Sequence, residues 1–242
     1  MRSSNPVFAN IERSASYSSA EAASYRGITL KTFILLGIAV LTGFYAITSL
    51  PAETFMSLLV GSVIVALIAV LIATFVPSLA MPMSIVYAAA EGVLLAMITL
   101  VAHTFVPGAP YAAIIATTAI FFVMLFLYSS RIIRVTTRFR KIMYAVLFGI
   151  LFFFIGFGIM SLFVDMNAIF GNSYGLAIGI SVFLIVYGAL MLTLDFDRAE
   201  AIVSSGADKK YEWMVALGLM VTIVWLYIEI LRLIMIVASK RD

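Results

Sequence analysis

Long uninterrupted runs of apolar residues dominate the chain, and short polar or proline-containing segments separate them. Each run has about 20 residues or more, which is the length that a helix needs to cross a bilayer. The strands of a membrane barrel would instead show about ten alternating residues. The pattern therefore predicts an all-α polytopic membrane protein with seven transmembrane helices, of which we expect the last to be central in the bundle. The runs cover 30–50, 55–76, 83–104, 111–130, 142–164, 174–194 and 213–238.

The segments that flank the runs give the domain boundaries. Residues 1–29 are rich in Ser and Ala and contain no apolar run, so we expect a polar cytoplasmic tail rather than a cleaved signal peptide. Residues 30–238 form the predicted transmembrane domain, and 239–242 form a short C-terminal tail. Pro51, Pro77 and Pro82 lie between runs, where a missing amide donor costs a helix least.

Composition excludes most other classes of protein. Of the 242 residues, 64% are hydrophobic and only 11% are charged, whereas about a quarter of a soluble domain is charged. A soluble enzyme, a disordered chain and an ordinary nucleic-acid binder are excluded on this ground. The chain has no cysteine and a single histidine, His103. It also lacks a phosphate-binding glycine loop, a serine elbow and a paired-histidine zinc motif, so we expect no catalytic activity.

Basic residues indicate the orientation in the membrane. Cytoplasmic loops of membrane proteins carry an excess of Lys and Arg, and twelve of the fifteen basic residues fall at the start of the chain or in the fourth and sixth connections. We therefore expect a cytoplasmic N-terminus and a C-terminus outside. The twelve are Arg2, Arg13, Arg26, Lys31, Arg131, Arg134, Arg138, Arg140, Lys141, Arg198, Lys209 and Lys210.

Ionisable residues inside the apolar runs are the candidate functional groups, because a charge in a membrane helix is costly and usually faces the protein interior. Glu91 lies in the middle of the third run, one turn after Tyr87. It is either a pore or proton-linked carboxylate, or a hydrogen-bonded acid that fastens two helices. Glu229 and Arg232 lie three residues apart on the last run, so their side chains share a face. They form either a structural ion pair or part of an ion or proton pathway.

Two further acids, Asp195 and Asp197, follow the end of the sixth run. A spacing of two places them on different sides of a helix, so they are not themselves a paired site. Acids at a helix C-terminus meet the unfavourable end of the helix dipole. They therefore indicate either that the helix continues into the cytoplasm or that a specific partner binds them.

Gly171, Gly175 and Gly179 form a four-residue ladder at the start of the sixth run. Small residues at this spacing allow helices to approach closely, which predicts tight packing inside the bundle or, less simply, a dimer face. The basic run from Arg131 to Lys141 could bind anionic lipid headgroups, although its role in fixing the topology already accounts for it.

Four segments of the chain form a distinctive set, three of them on the third, sixth and last runs. They are Tyr87-Ala-Ala-Ala-Glu91-Gly92, Leu194-Asp195-Phe196, Leu226-Tyr227-Ile228-Glu229 and the initial Asn5-Pro6-Val7-Phe8. With them, the chain resembles the Bax inhibitor-1 family of membrane proteins, in particular its bacterial branch. The resemblance covers nearly the whole chain and is most specific in the third, sixth and last runs.

The resemblance implies a pH-sensitive calcium leak of the bacterial cytoplasmic membrane. In this family, two acids on the last two helices share protons and hydrogen bonds and control opening, and here they would be Asp195 and Glu229. Glu229 departs from the family prototype, which has Asp in that place. Glu91, Arg232 and Asp197 would line or support the path.

No cofactor is implied, calcium is the permeant ion, and the identity of any metal ligand stays open. The alternative is a non-conducting regulator of a protease or stress pathway that acts through contacts with another membrane protein, with 195–211 as the contact segment. The partners expected are thus the lipid bilayer and, in this alternative, a membrane protein, whereas no nucleic acid is expected. The sequence leaves open whether the protein is a monomer or a homo-oligomer.

Overall fold

A computed structural model of the protein describes residues 22–163 and 174–239. Within these ranges, seven α-helices are long and apolar enough to cross a membrane, as the hydrophobic pattern predicted, and there is no β-sheet. A short 3-10 turn at Pro77–Leu79 precedes the third helix. The helices are α1 Tyr25–Ser49, α2 Ala52–Phe75, α3 Ala80–Phe105, α4 Ala109–Ser129, α5 Thr137–Ser161, α6 Tyr174–Ser204 and α7 Tyr211–Ala238.

Two helices begin earlier than their apolar runs because hydroxyl residues cap them. The Ser24 hydroxyl accepts a hydrogen bond from the backbone N–H of Gly27 at 3.0 Å, so α1 begins at Tyr25 rather than near 30. Thr136 caps α5 in the same way. Capping residues satisfy backbone donors that the first turn leaves without partners. Pro82 lies inside the first turns of α3 and not between helices, and proline is tolerated there because those amides need no intrahelical acceptor.

The sixth helix is longer than its apolar run. The run ends at 194, whereas α6 continues to Ser204, which confirms the continuation beyond the apolar run that the two acids at its end indicated. Most of the predicted contact segment 195–211 is therefore helical, and only a short connection separates α6 from α7. Charged side chains in the continuation pair with Arg140 of α5 and with Arg131 of the connection between α4 and α5.

The last helix contacts most of the other described helices. It packs against α1, α3, α4 and α6 and touches α2. Its apolar span is 61% buried, compared with at most 28% for any other span. The central position of α7 in the bundle stays a prediction, and these contacts favour that position.

Helices α1 and α3 approach closely through a pair of glycines. A Cβ atom added at Gly43 would lie 2.7 Å from the carbonyl oxygen of Gly92, and one added at Gly92 would collide with the backbone of Ala39. The absence of side chains at these two positions therefore brings the two backbones together.

The glycine ladder of α6 does not have this role in the described residues. A Cβ atom added at Gly175 or Gly179 would meet no atom of the described residues within 4 Å, so the described helices do not pack closely at these two positions and the predicted role of the ladder stays a prediction. The third member, Gly171, lies outside the described residues. Spacing shows that a helix is able to come close, but not that one does.

Helix α5 lies at the periphery and is held mainly near its start. Its span is only 6% buried. The hydroxyl of Tyr187 on α6 donates to the carbonyl oxygen of Met143 at 2.8 Å, and the guanidinium of Arg140 pairs with Asp197. Beyond these contacts, the phenylalanines of α5 are exposed around most of the helix.

Candidate functional site

Asp195 lies inside the interface between α6 and α7. Because α6 continues to Ser204, this residue is well within a helix and not at its end. Its side chain is 6% exposed, and the Thr222 hydroxyl on α7 donates to Asp195 Oδ2 at 2.6 Å. Gly218, one turn before Thr222, faces the other carboxylate oxygen, and a Cβ atom added there would lie 3.6 Å from Oδ1, an ordinary van der Waals contact. A single hydroxyl therefore joins this buried acid to the last helix.

Asp195 has no salt-bridge partner within the described part of the chain. The salt bridges formed by residues 22–163 and 174–239 do not include it. Arg198, one turn further along α6, donates to the Tyr144 hydroxyl at 3.1 Å and acts on Asp195 through its charge without forming a salt bridge. A buried charge without a close partner of opposite sign is unfavourable, so this position is sensitive to the protonation of the carboxyl group.

Glu229 and Arg232 are close together, as their spacing predicted. Arg232 Nη1 lies 3.8 Å from Glu229 Oε2, and the arginine side chain is 45% exposed. Glu229 itself is buried, and its Oε2 atom accepts no hydrogen bond from the described residues. The pair is therefore an ion pair without a direct hydrogen bond at this oxygen.

The two acids expected to share a proton have different partners. Asp195 is hydrogen-bonded to Thr222, which precedes Glu229 by seven residues, or about 10 Å along an ideal helix. Glu229 instead faces Arg232. The hydrogen bond expected between Asp195 and Glu229 is thus replaced by a carboxylate–hydroxyl bond, because the register of α6 on α7 places Thr222 opposite the acid.

Glu91 is buried on α3, a helix that packs against α7. Tyr87, one turn earlier, is also buried and interacts with the Glu91 carboxyl group. The neighbouring Ala88 belongs to an apolar cluster with Ala216 and Met220 of α7. Asp195 and Glu91 therefore both lie on helices that pack directly against α7.

Asp197 lies outside this buried group. Its carboxylate pairs with Arg140 of α5 at 2.7 Å, and both side chains are partly exposed. Glu200, one turn later, accepts hydrogen bonds from Arg131 and from the Tyr128 hydroxyl, each at 2.5 Å. These pairs fasten the continuation of α6 to the two ends of the connection between α4 and α5.

Sequence reasoning missed a fully buried acid, Glu212, in the first turn of α7. Lys31 Nζ lies 2.6 Å from its Oε2 atom, and the backbone N–H of Ser24 donates to Oε1 at 2.7 Å. A Cβ atom added at Gly27 would collide with the same carboxylate. The charge pattern gives Lys31 only a role in orientation, and no local spacing could indicate a partner 181 residues away.

The described residues contain no group of three or more His, Cys, Asp or Glu side chains that could hold a metal ion. The buried acids are instead spread over three helices, with Glu91 on α3, Asp195 on α6, and Glu212 and Glu229 on α7.

Comparison with known proteins agrees with the fold. A search of curated proteins finds no match. A family model described as Bax inhibitor 1 like matches residues 5–239, nearly the whole chain, and the matched region includes all of the buried acids described above. The chain is therefore a multi-pass membrane protein that belongs to the Bax inhibitor 1 like family.

Proposed function

We propose that the protein is a pH-sensitive cation leak that conducts Ca²⁺, and that the contact between Asp195 and Thr222 is its gate. The observation that carries the proposal is the burial of the Asp195 carboxylate between α6 and α7 with one hydroxyl donor and no salt-bridge partner among the described residues. The proposal needs no cofactor and no catalytic step.

Protonation of Asp195 would control the contact between the two helices. The neutral carboxylic acid accepts the Thr222 hydrogen bond at little cost, so α6 and α7 stay packed. The ionised carboxylate is poorly solvated in this interface and gains free energy from contact with water. Loss of the proton therefore favours separation of the helices and entry of water, and we expect the flux to rise as the pH rises.

The other buried acids would form the rest of the path. Carboxylate oxygens are the ligands that Ca²⁺ prefers in proteins, and Glu91 and Glu229 supply them on α3 and α7. Arg232 beside Glu229 reduces the negative charge at that point. A partly neutralised acid binds a cation weakly enough to release it, which conduction requires.

We place the protein in the bacterial cytoplasmic membrane with its N-terminus in the cytoplasm. Three basic segments share one end of the molecule. Ala22 forms a β-bridge with Asp208 of the last connection, and Arg131 of the fourth connection pairs with Glu200 near the end of α6. The positive-inside rule assigns this end to the cytoplasm, which leaves the C-terminus outside.

The test is calcium flux into proteoliposomes that contain only the purified protein and a trapped calcium dye, measured between pH 5 and 8. We expect flux that increases with pH. Asp195→Asn cannot ionise and should give low flux at every pH. Thr222→Val removes the hydroxyl that joins the helices and should raise the flux at low pH. Thr74→Val is the matched control, because Thr74 is exposed and its hydroxyl bonds to its own helix.

Two results would contradict the proposal. The absence of flux from the wild-type protein would exclude a leak and favour the non-conducting regulator. A pH response that Asp195→Asn leaves intact would exclude this gate while leaving the leak itself in place.

A further inference from the structure

A cavity of about 370 Å³ lies between α1, α4, α6 and α7 at the predicted cytoplasmic end. Most of its lining is apolar and includes Ile28, Phe121 and Leu125. The lining also includes the charged residues Arg131 and Glu200. A mainly apolar lining with charged residues, at the end of membrane-spanning helices, matches an amphiphile better than it matches water or a free ion.

Arg131 has an unusual backbone conformation for its residue type. Its φ is +59°, and it is the only non-glycine residue with a positive φ in the described part of the chain. The position directly follows the end of α4, where glycine is usually found because it lacks a Cβ atom. An arginine at this position indicates that its side chain is needed there.

The Arg131 side chain is held in place by Glu200 and Tyr128, and it has further hydrogen-bond donors. Its Nη2 atom donates to Glu200 at 2.5 Å, and its guanidinium lies over the ring of Tyr128. A guanidinium has five N–H donors, and this side chain is 57% exposed. The remaining donors are therefore able to reach a phosphate group at the edge of the cavity.

The chain segment that follows Arg131 carries a surplus of positive charge. Among the five basic residues of the fourth connection and the start of α5, Arg131 and Arg140 pair with acids of α6. Arg134, Arg138 and Lys141 form no ion pair with the described residues. A surplus of positive charge at a membrane surface attracts anionic lipids.

We propose that this cavity binds an anionic phospholipid of the bilayer. Its phosphate would accept hydrogen bonds from Arg131, and one acyl chain would lie against Phe121 and Leu125. The role of basic residues in setting the membrane orientation explains why this segment is basic. It does not explain the cavity or the backbone conformation of Arg131. The site is separate from the Asp195 gate, so the proposal stands whether or not the protein conducts calcium.

The test is lipid retention by the full-length protein in detergent, counted by native mass spectrometry after titration with phosphatidylglycerol or phosphatidylcholine. We expect phosphatidylglycerol to bind in preference to phosphatidylcholine. Arg131→Gly suits the backbone, removes the guanidinium and should weaken retention by about tenfold or more, the effect of losing a hydrogen bond to a charged group. Arg140→Gln is the matched control, since Arg140 also pairs with an acid of α6 but does not line the cavity.

Two additional measurements distinguish a bound lipid from a bound free phosphate. Leu125→Trp fills the apolar side without changing a charge and should also weaken retention, which keeps the test valid if Arg131→Gly folds poorly. Glycerol phosphate, which has no acyl chain, should not compete. Equal losses in Arg131→Gly and Arg140→Gln, equal binding of the two lipids, or full competition by glycerol phosphate would each overturn the proposal.

Discussion

The buried ion pair between Lys31 and Glu212 permits a quantitative prediction about stability. Replacing Lys31 with Met keeps the length of the side chain but removes the ammonium group from a site where the acid is 1% exposed and the lysine 11%. Breaking a buried pair by removal of one partner costs about 3–5 kcal/mol, because the remaining charge is left uncompensated. The Ser24 backbone N–H still donates to the carboxylate, so we expect the lower end of this range, about 3 kcal/mol.

The assay is the free energy of unfolding in mixed micelles, followed by tryptophan fluorescence. Trp213 is a suitable reporter because Lys31 Nζ lies 5.2 Å from its ring centroid. The double variant Lys31→Met with Glu212→Gln should recover part of the loss, since neither charge then remains buried. Arg140→Gln removes one partner of a half-exposed pair and should cost at most about 1 kcal/mol.

A loss below about 1 kcal/mol in Lys31→Met, similar to that of an exposed pair, would refute this reasoning. So would a double variant whose loss equals the sum of the single losses, because the two charges would then be independent.

Two further predictions concern the same end of the molecule. Gly27→Ala should destabilise the protein, since its Cβ atom would collide with the buried Glu212 carboxylate of α7. Gly175→Ala should be near neutral, because no described atom lies near that position. Thermal unfolding of both variants checks this, and equal effects would contradict it. The backbone N–H of Lys210 donates to the Asp208 carboxylate and holds the pKa of Asp208 below its usual value of about 3.9. The stabilisation from this hydrogen bond is therefore full above the usual pKa and is lost as the pH falls through the lower pKa of the folded state. The melting temperature of wild type should exceed that of Asp208→Asn at neutral pH and approach it in acid, and a gap that widens in acid would contradict the assignment.

The number of helices and their approximate positions could be predicted because the thickness of the bilayer fixes how many apolar residues each span needs. The Glu229–Arg232 pair could also be predicted, because both residues lie on one helix and the spacing of three alone brings their side chains together. The continuation of α6 to Ser204 was one of two alternatives, because acids near the end of an apolar run indicate a longer helix or a partner equally well.

Contacts between helices were less accessible to sequence reasoning. The partner of Asp195 depends on how α6 is rotated and shifted along α7, and hydropathy does not encode this register. For the same reason the sequence did not show that Thr222 would replace Glu229, or that Lys31 would meet Glu212. Glycine spacing likewise suggested close packing at Gly175, whereas the structure has it at Gly92.

The peripheral position of α5 has a consequence for how its sequence is constrained. Because its span is 6% buried, most of its side chains contact hydrocarbon tails, which adapt to any shape. Exchange of one apolar residue for another at exposed positions such as Phe152 and Phe153 should therefore be almost free, whereas introduction of a charge should not be tolerated. Residues of α7 instead pack against other helices, so the volume and branching of their side chains matter. The two helices are similarly hydrophobic, but the protein surrounds one while the lipid surrounds the other.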